Sequence, residues 1–342
     1  MGKHPSLMFK ETGEAADAVA RLLAREKPVF AEIGRLIGQR RPSVVTVAAR
    51  GSSDHAVSFF KYLFEITAGI PVASIGPSVV SVYRATLNVP NGLHVTVSQS
   101  GASPDIIAVQ EEAKRGGATT LAVVNVEDSP LAHAADVVLP IHAGEEKSVA
   151  ATKSFIASAA ALAALTQAAT GEAALAAGLT QLPEMLRRVC EADCADALPM
   201  LSDAQSLYTA GRGPGFAIAL EAALKAKETA KLHAEAFSLA ELMHGPMQLV
   251  ERGFPVLAFL QEDEALSVST AALDKLKALG AGVVCFSSRA GGDTVMVPST
   301  GYAKLDPLVA IAAYYRLIER LARERGLDPD TPERLRKVTE TM

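Results

Sequence analysis

The chain has 342 residues, 49% hydrophobic and 21% charged, enough to bury the cores of two ordinary domains and too apolar for a disordered polymer. Its 33 Lys and Arg against 38 Asp and Glu leave a formal net charge of −5 with no basic block, which excludes a charge-built nucleic-acid surface and leaves any anionic ligand to local donors. Cys190, Cys194 and Cys285 lack zinc-ligand company and would leave one cysteine unpaired, so they are expected as reduced thiols of a cytoplasmic protein, the first two spaced for one helix face.

In chain order, residues 1–41 have a helical pattern broken at Pro5, Gly13 and Pro28, an N-terminal segment too short for a DNA-reading domain. No apolar run follows Lys3 and Lys10, so no secretory signal is expected. Residues 44–48 (VVTVA) form a continuous strand pattern, followed by Ala49-Arg50-Gly51-Ser52-Ser53 and a helix over about 54–68. Residues 93–97 are the next strand, joined by Ser98-Gln99-Ser100-Gly101-Ala102-Ser103 to a helix over 104–115. A helix N-terminus offers unpaired N–H groups and a positive dipole end, Gly101 admits close approach, and Ser98, Ser100 and Ser103 add hydroxyls, so this turn suits a phosphate. The same string also serves as an ordinary strand-to-helix turn with a serine cap. Residues 117–124 are a third strand pattern, and 155–169 are an alanine-rich helix shorter than the roughly 20 residues a bilayer needs, hence a buried helix and no membrane span.

Beyond a helical joining segment the pattern returns. Residues 206–210 (SLYTA) lead into Gly211-Arg212-Gly213-Pro214-Gly215 and a helix to about His233, and Arg212 matches Arg50 at an offset of 162. Near that offset, residues 117–124 (GATTLAVV) meet 280–286 (GAGVVCF), which identifies an internal duplication. Each half reads strand, helix, strand, helix, strand, which predicts an α/β fold with parallel sheets covered on both faces and ligands at the strands' carboxyl ends. The second half has Leu260-Gln261-Glu262-Asp263 in place of the serine loop, and its carboxylates would repel a phosphate, so the phosphate is expected in the first half only. Residues 267–279 and 307–325 are further helices before a polar tail.

Three places carry chemistry in the second half. Glu221, Lys225 and Glu228 stand at i, i+4 and i+7 of an Ala/Leu-rich helix, either a solvated stripe of ion pairs or a functional row. His244, in Glu241-Leu242-Met243-His244-Gly245-Pro246, brings an imidazole, a side chain suited to proton transfer, though a loop histidine is often only a surface residue. Lys337 lies in a polar tail, where the residues alone give only a frayed basic end.

SQSGAS, SVAATKSF, ELMHGP and LRKVT occur in this order across a duplicated architecture, and over residues 42–342 the chain resembles the SIS (sugar isomerase) superfamily, specifically the isomerase half of glutamine-dependent fructose-6-phosphate amidotransferase. The resemblance implies two flavodoxin-like SIS subdomains, 42–170 and 201–325, each a three-layer sandwich, with a helical linker at 171–200 and a tail at 326–342. It implies sugar-phosphate binding by Ser52, Ser53, Ser98, Gln99, Ser100 and Ser103, further substrate contacts from Val149, Ala150 and Lys225, and no metal or other cofactor. Proton transfer between C1 and C2 falls on Glu228, ring opening on His244, and Schiff-base formation with the open-chain ketose on Lys337. In relatives the histidine comes from the neighbouring subunit, so a homodimer with shared sites is expected. Two departures bear on the reaction: the sequence opens Met1-Gly2-Lys3 without a glutaminase cysteine, and Ala151 replaces a sugar-contacting serine. Glutamine is therefore not an expected nitrogen source, and the resemblance turns toward the SIS-type glucosamine-6-phosphate deaminase. An isomerase subunit fed ammonia by another protein, a fructosamine-phosphate deglycase and a non-catalytic sugar-phosphate sensor are the alternatives.

Overall fold

The structure is a computed structural model describing residues 5–190, 194 and 197–337. Helices α1 (Leu7–Gly13), α2 (Ala15–Arg25) and α3 (Lys27–Arg40) precede a first sheet of β1 (Val45–Ala48), β2 (Val72–Ser74), β3 (Leu93–Ser98), β4 (Thr119–Val124) and β5 (Val137–Pro140). Between these strands run α4 (Ser52–Ala68), α5 (Pro77–Ser81), α6 (Pro104–Arg115) and α7 (Pro130–Ala134), and α8 (Lys153–Thr170) follows. Helices α9 (Ala173–Val189) and α10 (Leu198–Ser202) lead to a second sheet of β6 (Ser206–Gly211), β7 (His233–Ser238), β8 (Pro255–Phe259), β9 (Gly282–Ser287) and β10 (Thr294–Met296). Its helices are α11 (Pro214–Ala230), α12 (Leu239–Leu242), α13 (Leu266–Ala278) and α14 (Asp306–Glu324).

Both sheets are wholly parallel, ordered β2-β1-β3-β4-β5 and β7-β6-β8-β9-β10, the same arrangement twice, as the duplication predicts. The sequence pattern announces three strands per half and the structure has five. The additional strands β2, β5, β7 and β10 are all edge strands of three to six residues, too short or too polar to stand out from their loops. The helix expected to reach His233 ends at Ala230, because Lys231 takes a left-handed cap (φ 47°) whose N–H returns to Ala226, and His233 opens β7 instead.

The chain divides into two compact units that do not follow it in simple order. One contains Asp17–Glu146 and Lys153–Ala176, including the first sheet; the other contains Lys147–Thr152, Ala177–Lys337 and the N-terminal segment through Ala16. In the first-sheet unit α8 packs on α3 and α4 and is buried from Lys153 to Thr166. Gly34 permits this approach, since a Cβ there would overlap the Ala168 carbonyl. The apolar surface of α8 is thus consumed inside its own unit. In the second-sheet unit α11 lies against the sheet and α14, and Tyr208, Val256, Ala258, Leu273 and Leu276 belong to one apolar cluster with α12 residues Leu239 and Leu242.

Cys190 and Cys194 do not share a helix face: α9 stops at Val189, and Cys194 is buried outside any helix with its thiol toward the Ala313 carbonyl at 3.7 Å. Burial also pushes the Cys285 thiol up to about 11, a packing environment that keeps it protonated. Among the described residues no helix is long and apolar enough to cross a membrane.

Candidate active site

In a sheet ordered 2-1-3-4-5, right-handed crossovers leave β1 and β3 in opposite directions, which puts their following helices on opposite faces and opens a crevice at the two carboxyl ends. In the first-sheet unit that crevice is bordered by both serine loops. Ser52 and Ser53 open the first turn of α4, after Gly51 at φ 54°. Ser98 closes β3, and Gln99 and Ser100 follow it, all three half-buried. The loop's own polar groups fix its shape: the Gly101 N–H donates to the Ser98 hydroxyl at 3.1 Å, and the Gln99 and Gly101 carbonyls accept from Asn125 and Leu131. Gly101 has φ +62°, and a Cβ there would overlap the Ser129 side chain, so glycine is required both conformationally and sterically. Ser103 is the N-cap of α6 without a side-chain cap bond, so its hydroxyl is not consumed by the helix. The buried Asp105 carboxylate in the first turn is matched by Arg50, whose Nε donates at 2.6 Å.

The second sheet has the corresponding crevice between β6 and β8, and it is closed. Gln261, 3% exposed, donates from Nε2 to the Arg212 carbonyl at 2.8 Å, bridging the two loops that would have to part for a ligand.

The chemistry of the second-sheet unit lies on α11. Glu221 and Lys225 are not a solvated stripe: their side chains are 0% and 1% exposed, while Glu228 keeps 22%. Lys225 Nζ stands 3.4 Å from Glu221 and 2.5 Å from Glu228, and Tyr315 of α14 donates to Glu221 at 3.1 Å. Burial opposes the ammonium, but the Glu221 and Glu228 carboxylates outweigh it and hold Lys225 above the ordinary lysine value. Lys225 therefore orients Glu228 from beneath. Glu228 itself lines an open groove of about 600 Å³ with Leu224, Lys231 and His233 of α11 and its exit, and with the tail at Glu333 and Arg334.

His244 is exposed on the turn after α12, its N–H on the Glu241 carbonyl at 2.9 Å, and the Tyr208 hydroxyl ties the same turn down through the Pro246 carbonyl at 3.1 Å. Lys337, the last described residue, is not frayed: its Nζ donates to the Ser148 carbonyl at 2.6 Å, bringing it to the segment that carries Val149 and Ala150. The N–H of Val149 is already taken by the Asp330 carbonyl at 3.0 Å, and Ala150 is fully buried. Val338 and Thr339, which complete the LRKVT string, lie outside the described residues, as do Met1, Gly2 and Lys3. Sequence reading missed Glu11, which accepts the Lys147 and Ser148 N–H groups, and Asp330. Glu11 looks like any acidic residue of an amphipathic helix; for Asp330, the string Asp328-Pro329-Asp330-Thr331 was the available turn signal.

The model of the SIS domain family matches residues 40–168 and 200–295. A glutamine–fructose-6-phosphate aminotransferase of Aeropyrum pernix is 33% identical over 358 residues, covering 98% of this chain and 57% of its own length. The chain spans about half the length of the curated relatives it matches, from 51% to 59%. Among solved structures, a Silicibacter pomeroyi protein assigned as a phosphosugar isomerase is 41% identical with a TM-score of 0.90, covering 95% of this chain and 100% of that one. A glucosamine-6-phosphate deaminase of Thermotoga maritima shares the fold, with 22% identity and a TM-score of 0.78 over 98% of this chain and 100% of its own.

Proposed function

This chain belongs to the SIS domain family, and we propose that it is an aminosugar-phosphate isomerase exchanging free ammonia, taking glucosamine 6-phosphate and water to fructose 6-phosphate and ammonia. The observation that carries the reading is the α11 row: two ionic residues buried and mutually paired beneath a third, Glu228, which alone retains access to a groove. A carboxylate held in one orientation by a buried ammonium is suited to moving a proton between adjacent carbons, where positioning decides the rate.

In this reading the loop at residues 98–103 and the α4 N-terminus hold the phosphate through hydroxyls and N–H groups. His244 protonates the ring oxygen and opens the pyranose. Glu228 removes the C2 proton of the open-chain aldosamine and returns it to C1, leaving an imine at C2 that water hydrolyses with loss of ammonia. Lys337 holds the C2 carbonyl in the reverse direction, as a Schiff base with the ketose. His244 is exposed on the single chain, which supports its serving a second copy in a homodimer; mixing inactive His244→Ala and Glu228→Gln subunits is expected to restore part of the activity.

The deciding assay incubates the protein with glucosamine 6-phosphate, galactosamine 6-phosphate, and fructose 6-phosphate plus ammonium, and measures ammonia and sugar products. Ammonia release from an aminosugar phosphate supports the proposal; tight binding with no turnover of any sugar would turn it into a sensor. A second reading, a synthase-like isomerase supplied with ammonia by a glutaminase, is favoured by the aminotransferase relatives and is separated by net amination of fructose 6-phosphate outpacing deamination.

A further inference from the structure

A lysine in a C-terminal tail acts on a substrate only if the tail is fixed, and the second-sheet unit fixes it through a closed ring of contacts. Lys337 Nζ rests on the Ser148 carbonyl. The Lys147 and Ser148 N–H groups donate to the two oxygens of Glu11, at 2.5 and 3.2 Å, and Glu11 is a buried carboxylate of α1. The next N–H, that of Val149, donates to the main-chain carbonyl of Asp330 at 3.0 Å. The Asp330 carboxylate in turn accepts the first N–H groups of α1, Leu7 at 2.7 Å and Met8 at 2.8 Å, where a negative charge also meets the helix dipole. Asp330 is itself set by Asp328, which accepts its N–H at 2.9 Å and the Thr331 hydroxyl at 2.6 Å.

We propose that Glu11 and Asp330 are positioning residues: together they fix three consecutive peptide groups, 147–149, and through them the place of Lys337 relative to the sugar carbonyl. The inference rests on the reading of Lys337 as the residue that meets the open-chain ketose. Both oxygens of each carboxylate are spent on main-chain N–H groups, so neither is assigned a contact with the substrate. A structural role alone would lower stability and leave the chemistry of the folded enzyme intact, whereas a positioning role changes kcat at constant KM and the reactivity of one lysine.

The test is reductive trapping. Fructose 6-phosphate condenses with Lys337 Nζ with loss of water, borohydride adds hydride to the imine carbon, and peptide mass spectrometry reads the modified lysine. Absence of trapping at Lys337 in the unaltered protein would refute the Lys337 reading itself and leave kcat and KM to judge the ring. With wild-type trapping established, Glu11→Gln and Asp330→Ala are expected to slow trapping and kcat by about ten-fold or more with KM within about three-fold, since displacement of a reacting group by about 1 Å costs up to about 10²-fold. Asp330→Asn, which keeps one carbonyl for α1, is expected to recover part of both and carries the test if Asp330→Ala does not fold. Ser6→Ala removes the Ser6–Glu319 bond at 2.7 Å and a side-chain cap of α1 while leaving every hydrogen bond of Glu11 and Asp330 in place, and is the stability control. Wild-type trapping and kcat in folded Glu11→Gln and Asp330→Asn, or equal losses in Ser6→Ala, would overturn the positioning role.

Discussion

The two halves share a topology and almost nothing of their chemistry. Gly51 and Gly213, 162 residues apart, have φ of 54° and 55° at the starts of α4 and α11, and Gly117 and Gly280 both have φ +94° before β4 and β9. On these equivalent frames Phe59, Leu63 and Ile66 of α4 occupy the places of Glu221, Lys225 and Glu228 of α11. Conversely, His94 and Thr96 of β3 stand where β8 has Val256 and Ala258, and Ser98, Ser100 and Gly101 where the second half has Leu260, Glu262 and Asp263. Gln99 and Gln261 coincide, yet Gln261 is buried against the Arg212 carbonyl and bridges its two loops, whereas Gln99 remains half-buried. Duplication supplied two switch points and two central helices; one half carries serine-rich turns at its switch point and the other a row of ionisable groups on its central helix.

The largest expected effect breaks the α4–α11 contrast. Glu228→Gln keeps the shape and removes the proton carrier, so kcat should fall by about 10² to 10⁴ with KM within a few-fold. The equivalent change in the other half, Ile66→Gln at an exposed position, should leave both constants alone. Steady-state kinetics of the two folded variants decides it; near-normal turnover of Glu228→Gln would move the base to another residue.

Removing the ammonium beneath it is a stability experiment. Lys225→Met strands Glu221 as a buried charge beside Tyr315, a loss of about 3–5 kcal/mol in denaturant unfolding. Copying the first half, with Glu221→Phe and Lys225→Leu as in Phe59 and Leu63, should recover most of that stability in an inactive protein, because a buried pair is replaceable by packed apolar side chains. Lys225 titrates above its ordinary 10.5 in the folded state, so its contribution is complete below that pH and lost only as the pH rises through the folded value.

The polar face of the first sheet predicts an acid sensitivity that the second sheet lacks. His94 is fully buried with Thr46 2.9 Å from Nδ1, and burial lowers its pKa from 6.5 to about 4. His94 Nε2, Thr96 Oγ1 and Gln110 Oε1 are all buried without a hydrogen-bond partner among the described residues. The unfolded chain takes up a proton near 6.5 while the folded protein resists until about 4, so stability should fall by about 3 kcal/mol across that window. Thr46→Val with His94→Val, which brings this pair closer to Tyr208 and Val256, should flatten that segment of the pH–stability curve. Retention of the full slope would assign it to other groups.

These contrasts show what was legible in the sequence. The duplication, the central strands, the serine loop and the α11 row follow from patterns local enough to read: apolar runs, glycine at turns, i and i+4 spacing. Whether Glu221 and Lys225 were solvated or buried was not legible, because spacing fixes a face and not what covers it; Tyr314 and Tyr315, whose hydroxyls reach α11 from more than 90 residues on, supply that cover. Edge strands β7 and β10 escaped because pairing with β6 and β9, not their own polar-mixed composition, makes them strands. Glu11 and Asp330 act across more than 130 and 320 residues of chain, a separation no window contains.

The smallest predicted effect concerns the serine loop, where the two readings of the sequence still compete. Ser98 accepts the Gly101 N–H at 3.1 Å and Ser100 the Ala102 N–H at 3.4 Å, bonds that an ordinary turn would use as well. Each hydroxyl keeps its own proton to donate, and a charge-assisted hydrogen bond to phosphate is worth about 1.5–3 kcal/mol, whereas the loop bonds are single neutral contacts worth about 1 kcal/mol. Ser98→Ala with Ser100→Ala should therefore raise KM for a sugar phosphate by about ten-fold or more, raise the inhibition constant of inorganic phosphate in parallel, and lower thermal stability only slightly. Replacing Glu262 by Ser at the corresponding place in the second half should change neither constant, because Gln261 keeps that crevice shut. If KM holds in the double variant while stability drops, the serines are turn residues and the phosphate is held elsewhere.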